Sequence, residues 1–521
     1  MSTATAAASA YPDHRQVPHR LLITVATMIA TLMQALDNTI ANVALPHMQG
    51  SLSASRDQIT WVLTSYVIAA AIMTAPVGWL AARFGRKRFF VVCLSGFTVA
   101  SIFCGLAQTL NEEVLFRLLQ GCFGAALVPL SQSIMLDIYP IEQRGMAMAV
   151  WATGVMIGPI LGPTLGGYLT DLYDWRWVFF INVPFGILAV GGLVLFLKEH
   201  HHDTTLRFDW TGFAVLSLGL GAFQLMLDRG TGHDWFHSNE IIIEAALAGV
   251  GFYLFIVHMF TAEKPFIPPH IFRDINFLSG FLTMFAVGIV LLASAALLPP
   301  FLQNLSGYSV TETGLLMTPR GIGAMLVMIL AGRLTRIVDP RILMAMGIVA
   351  IGISMWDMTR WTPDIGVWRL SLVTAAQGAG IGFVFIPLQV IGFATLNPAL
   401  RTDAAALYSL SRNIGSALGV SVSSAVLTSK IQTFHTQLAG SVTPFNRALQ
   451  SGATGLFWGP GTPFGLAGVD AEVMHQALML AYINDFMLMA WICIPMLPML
   501  FFMRRPKRGA TGEAQVEIAP E

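Results

Sequence analysis

Fourteen apolar stretches set the limits on what this chain can fold into. They run at 21–44, 59–81, 89–108, 114–137, 146–170, 177–197, 209–227, 241–261, 277–301, 313–332, 342–358, 369–391, 403–428 and 478–503. A helix that crosses a bilayer needs about 20 apolar residues. Lipid offers no partner for a backbone N–H or C=O, so a crossing segment of this length must be a helix. Charged residues are 11% of the 521 residues, against about 25% in a soluble domain, and the mean hydropathy is +0.66. So few charges cannot cover a surface facing water. The predicted fold is therefore all-α and polytopic, with lipid as the main solvent.

Composition also narrows function. The formal net charge is +0, and no basic run is interleaved with aromatics, which gives no footing for nucleic acid. Cys93, Cys104, Cys122 and Cys493 all fall inside apolar stretches, at spacings that suit neither a metal site nor a disulfide framework. The loop-borne run His200-His201-His202-Asp203 has no further ligands near it in sequence. No phosphate-cradling GxxxxGK[ST] loop is present, which argues against ATP hydrolysis and for an ion gradient as energy source. No nucleophile, base and orienting group share a loop, so an enzyme is not expected, nor any cofactor or metal.

Topology follows from the basic residues. With the N-terminus inside, 19 Lys and Arg fall on the cytoplasmic side, 7 outside and 3 within spans, accounting for all 29. That bias fits an even number of spans with both termini cytoplasmic. The first apolar run is too long, and at Gln34 and Asp37 too polar, for a cleaved leader. An internal repeat divides the chain: Arg144, Gly158 and Gly162 recur as Arg401, Gly415 and Gly419, and Gln120-Gly121 as Gln377-Gly378, all 257 residues apart. Two six-helix halves of like orientation explain it. The expected organisation is a tail at 1–20, a six-helix bundle at 21–197, two extra helices and linkers at 198–276, a second bundle at 277–503 with a long outer loop at 429–477, and a tail at 504–521.

Candidate functional residues are those that apolar helices do not need. Asp37 is the only charge between Arg20 and Arg56. A carboxylate in a spanning segment is costly, faces the bundle interior and can carry a proton. Gln34, Asn38 and Asn42 are read as extending a polar stripe around it, facing a lumen. Arg117 lies at a similar depth, where an ion pair with Asp37 is sterically plausible, and it has no arginine counterpart in the repeat, where Thr374 stands. Gln120, Arg320, Gln377 and Arg412 complete the candidate substrate cavity. Gly154, Gly158, Gly162 and Gly166 are four apart and share one helix face, which lets another helix approach closely. Pro159 and Pro163 soften the backbone beside it. The cluster around Gly78, Arg83, Gly85 and Arg86 is the densest basic loop.

On these residues the chain resembles the major facilitator superfamily, in particular its fourteen-helix drug:proton antiporters of the EmrB/QacA type. Leu36-Asp37 through Pro46 resembles that family's first-helix motif, and Gly78 to Arg88 the superfamily's loop motif, with Ala82 where an acidic residue is common. Arg117, Gln120 and Gly121 match the helix-four motif tied to proton coupling. Gly154-x-x-x-Gly158-Pro159-x-x-Gly162-Pro163-x-x-Gly166-Gly167 matches the antiporter motif. Asp174-Trp175-Arg176-Trp177 to Asn182-Val183-Pro184 is typical of the fourteen-helix branch. Met226-Leu227-Asp228-Arg229-Gly230, with Asp234-Trp235-Phe236 after it, and Val442 to Asn446 are similar to its EmrB-like members.

The resemblance implies a major facilitator fold of 6 + 2 + 6 helices. It implies proton-driven efflux of hydrophobic or amphipathic compounds, with Asp37 and Arg117 as the coupling pair and the glycine-proline face as a gate. It further implies a Gram-negative inner membrane, an EmrA-like periplasmic adaptor and a TolC-like outer-membrane channel. An uptake symporter on the same fold and a non-transporting membrane scaffold are the alternatives.

Overall fold

The computed structural model describes residues 17–199, 207–397, 400–443 and 463–504. The His200–Asp203 run, most of both termini, and the 444–446 part of the outer-loop motif lie outside the described residues, as do the side chains of Pro159 and Pro163. Among the described residues the structure is helical, without strands. In order the α-helices are α1 (Arg20–Ser51), α2 (Arg56–Ile59), α3 (Trp61–Thr74), α4 (Val77–Phe84), α5 (Arg86–Leu106), α6 (Leu110–Gly124), α7 (Leu127–Ile138), α8 (Ile141–Leu172), α9 (Trp177–Phe180), α10 (Asn182–Phe196), α11 (Trp210–Arg229), α12 (Asn239–Thr261), α13 (Ile275–Asn304), α14 (Val310–Leu334), α15 (Pro340–Met358), α16 (Val367–Gly392), α17 (Arg401–Ala439), α18 (Pro463–Cys493) and α19 (Met496–Phe502).

Twelve of the described helices or helix pairs are long and apolar enough to cross a membrane. α3 and α4 form a further span bent by 59°, at Pro76, which has no N–H to continue the helix. α8, 32 residues long, completes the fourteen; at about 1.5 Å per residue it exceeds the bilayer core. Capping boxes fix the starts of α6 and α14, where Thr109 and Ser309 each accept from the N–H of a glutamate three residues on.

Two bounds differ from the sequence reading. α17 continues 39 residues to Ala439, and α18 begins at Pro463, so much of the expected 429–477 loop is helix. Apolar counting marks where lipid ends, whereas a helix of polar residues continues into water. The two extensions meet where His435 Nε2 lies 3.0 Å from Asp470 Oδ1.

The first six spans pack on one another, as do the last six. The extra hairpin α11–α12 closes on itself at Gly219 and Gly251, where an added Cβ on Gly251 would lie 2.5 Å from the Gly219 nitrogen. α11 rests against both α3 and α17, and Ser421 Oγ donates to Leu227 O at 2.5 Å.

The halves meet at the end the basic residues assign to the cytoplasm. Gln132 Nε2 donates to Gln389 Oε1, and these residues are 257 apart, the offset of the repeat, so the pseudo-twofold axis passes between them. Ser133 and Thr402 hydroxyls are 2.9 Å apart. Asp137 takes Arg86 from its own half and, at 2.7 Å, Arg401 from the other. Gly78 fits here because its missing Cβ would collide with Asp403. Gly85 has φ of 89°, a backbone that favours glycine. The basic loop is thus part of an interlock, beyond its role in orienting the chain.

Asp137→Asn removes the charge that holds both arginines. Losing only ~1.4 kcal/mol of that interlock shifts the ratio of states about tenfold. A cysteine at Ser133 is expected to label faster from the cytoplasmic side in that variant, and an unchanged rate would show that the interlock does not hold this state.

Candidate proton-coupling site

α1 carries Asp37 into the first bundle, where its side chain is 0% exposed. Arg117 on α6 meets it: Nη1 donates to Asp37 Oδ2 at 2.6 Å. Gln120, one turn further, donates Nε2 to Asp37 Oδ1 at 2.8 Å and accepts from Arg117 Nη1 at 2.6 Å. Asn182, at the start of α10, donates to Asp37 Oδ1 at 3.2 Å and to Ser101 Oγ on α5 at 2.9 Å. Ser101 in turn donates to the Phe179 carbonyl at 2.9 Å. Arg117 Nε reaches Val62 O at 3.2 Å, and its guanidinium lies 4.3 Å from the Tyr66 ring centroid. Both ionised groups are therefore paired and hydrogen-bonded in an interior closed to water, the arrangement in which a buried ion pair is tolerated. Protonating Asp37 would delete its attraction for Arg117, so one proton controls how α1 and α6 are held together.

The sequence pairs Asp37 with Arg117, and the structure does the same; Gln120, assigned by sequence to the substrate cavity, is instead 0% exposed and bonded to both. The members of the polar stripe differ in exposure. Gln34 is buried, but Asn38 and Asn42 are exposed on α1, Asn42 Nδ2 donating to Asn38 O at 3.0 Å. Each helical residue turns about 100° from the last, so the Asn38–Asn42 face lies beside the one that buries Asp37. Glu113 is a second deep carboxylate in the first six spans, 0% exposed. Asn182, Ser101 and Tyr66 were not singled out by sequence as partners of Asp37. Asn182 had a signal, at the break between α9 and α10 just ahead of Pro184.

In the second half the repeat reproduces the scaffold without the acid. Ser294 and Gln377 are the equivalents of Asp37 and Gln120 at the 257 offset, and Gln377 Nε2 donates to Ser294 Oγ at 3.0 Å. Arg320, from α14, donates Nη2 to Ser294 Oγ at 3.0 Å and to Leu291 O at 2.9 Å. Neither Arg320 nor Arg412 has an ion pair among the described residues. Arg117→Lys, which loses the planar fork, forfeits charged hydrogen bonds each worth about 1.5–3 kcal/mol. It is expected to cut proton uptake on substrate addition roughly tenfold or more, with Arg412→Lys close to the parent. Equal loss in both would remove the special standing of Arg117.

The glycine face of α8 packs on α1 itself. A Cβ on Gly158 would lie 2.5 Å from Ala35 Cβ, and one on Gly162 2.9 Å from Thr39 Cβ. Gly166 faces Ile40, and Gly154 meets Met28 more loosely. Thr39 Oγ1 donates to Gly158 O at 3.2 Å. The contact lies inside the first bundle, on the helix that carries Asp37, and not between the halves. Of the loop residues, Arg86 pairs with Asp137, whereas Arg83 Nη1 is buried without a partner.

Two helical halves with a charge pair sealed inside one of them define a multi-pass membrane transporter. The Major Facilitator Superfamily model matches residues 27–420, and the chain belongs to that superfamily. The multidrug export protein EmrB of Escherichia coli K12 is 34% identical over 497 residues, covering 94% of this chain and 96% of its own. EmrB of Haemophilus influenzae is 34% identical over 494 residues, with 93% and 96% covered. The fatty acid resistance protein FarB of Neisseria gonorrhoeae is 32% identical over 495 residues, with 94% and 97% covered. Among solved structures, the human organic anion transporter MFSD10 aligns with a TM-score of 0.57 at 14% identity, over 92% of this chain and 100% of its own. The proton:xylose symporter XylE aligns at 0.55 and 15%, over 90% and 94%. At such identities these two speak for the fold alone.

Proposed function

We propose that the chain is a proton-driven exporter of hydrophobic or amphipathic compounds. The observation that carries this reading is the sealed Asp37–Arg117 pair, 2.6 Å apart and closed to water. An ionisable pair kept in the membrane interior is expensive and is retained where ions or protons move. Near full-length similarity to proteins named for multidrug export supports the direction and the cargo. Asp37 exchanges a proton with the cavity, Arg117 sets its charge state, and the interlock at Asp137 opens and closes the cytoplasmic side. Gln34, Asn38, Asn42, Arg320, Gln377 and Arg412 remain the candidates for contacting cargo.

The same similarity supports a Gram-negative inner membrane with both termini cytoplasmic. It also supports an EmrA-like adaptor and a TolC-like channel as partners, and the outer helical extensions of α17 and α18 offer the adaptor a surface. Reconstituted in liposomes with an imposed proton gradient, the protein should move a hydrophobic fluorescent dye against the proton flow. Dye movement along the proton flow would indicate a symporter, since fold does not fix direction.

A further inference from the structure

Glu113 sits one turn before Arg117 on α6. Its neighbour Glu112 is used at the helix start, where its carboxylate accepts from the N–H groups of Gln108 at 2.8 Å and Thr109 at 3.3 Å. Glu113 turns inward instead. It is 0% exposed, and neither carboxyl oxygen has a hydrogen-bond partner. The titratable and charged groups around it are Arg117 on its own helix, Asp37 on α1, Cys104 on α5 and Arg176 ahead of α9. Both cations are already engaged: Arg117 with Asp37 at 2.6 Å, and Arg176 with the Gly105 and Ala107 carbonyls at 2.9 and 2.5 Å.

An ionised carboxylate with no donor in an apolar interior is so costly that such a group takes a proton instead. Glutamate four residues before arginine is the favourable order for a pair along one helix, so Arg117 has a second carboxyl within reach. We infer that Glu113 is a second proton-binding site that exchanges Arg117 with Asp37. While Asp37 is ionised and holds the arginine, Glu113 keeps its proton. When the Glu113 proton passes to Asp37, Glu113 is left ionised and takes the guanidinium. One carboxyl gains a proton, the other loses one, and the arginine stays charged, so the three groups remain neutral together. The exchange spares the transporter a bare buried cation during the step in which Asp37 is neutral. It rests on the proposed coupling role of the Asp37–Arg117 pair.

The test is infrared difference spectroscopy of the full chain in lipid vesicles at neutral pH, with no substrate. The parent should show a protonated-carboxyl C=O band that Glu113→Gln removes. In Asp37→Asn that band should vanish, because Glu113 ionises to hold Arg117. Asp37→Ser, which installs the residue found at Ser294 in the repeat, is the second variant should the asparagine protein fail to fold. Asp37→Asn combined with Glu113→Gln should lower the melting temperature by more than the two single changes together, since Arg117 then has no carboxylate. A merely structural Glu113 would keep its band in Asp37→Asn and give additive melting shifts, and either result overturns the exchange, as does absence of the band in the parent. If the bands behave as expected while Asp37→Asn still exports with protons, the exchange stands and the coupling role fails.

Discussion

Asp37→Asn is expected to abolish proton-coupled export while the protein still folds. Asparagine keeps the shape and the bonds to Gln120 and Asn182 but cannot take up or give up a proton. Sequence alone suggests little effect on stability, because burying an ion is itself costly. The structure changes that expectation: Asp37 is paired with a fully buried arginine, and removing one partner of a buried pair commonly costs 3–5 kcal/mol. A lowered melting temperature should therefore accompany the loss of transport, moderated by whatever carboxylate Arg117 can find. Dye export in proteoliposomes, measured beside thermal unfolding, checks both parts. Parental export by well-folded Asp37→Asn would remove the coupling role.

Gly158→Leu is expected to be the most damaging change on the α1–α8 face. Even one added carbon would sit 2.5 Å from Ala35 Cβ and 2.6 Å from the Ala35 carbonyl carbon, and leucine brings three more. Overpacking of this kind typically costs about 1–3 kcal/mol, and relief requires α1 to move away. Moving α1 withdraws Asp37 from Arg117, so coupling should fail along with packing. Gly167→Leu on the same helix is the control, since a Cβ there meets nothing within 4 Å. Export and cysteine labelling at the inner and outer mouths should be lost or skewed in the first variant and parental in the second. Normal export and labelling by Gly158→Leu would leave the face without a role in gating.

The bundle was legible in the sequence because apolar length reports the bilayer directly, and the basic loops and the 257-residue repeat ordered the spans. Asp37 and Arg117 were legible because charge stands out in such segments. Ser101 and Tyr66 were not, since they are brought to Asp37 by packing of α5 and α3 and single polar residues are ordinary in any helix, while Asn182 stood out only as part of a family motif and not as a partner of Asp37. Asn38 and Asn42 share a helix face with Gln34, and their spacing alone does not tell that this face lies beside the one that buries Asp37. Glu113 was not legible as a buried acid, because it stands beside Glu112, which takes the helix-start role, and sequence does not tell which of the two turns inward. The outer ends of α17 and α18 were hidden because polar helix and polar loop look alike to an apolar count.

Coupling between proton and cargo is tested most directly with no proton gradient imposed. Proteoliposomes are loaded with a hydrophobic dye and a lumenal pH indicator, then diluted so that dye leaves through the protein. Antiport predicts that the lumen acidifies as dye departs, in the parent but not in Asp37→Asn. A lumen that turns alkaline, or holds its pH while dye leaves at the parental rate, would contradict it.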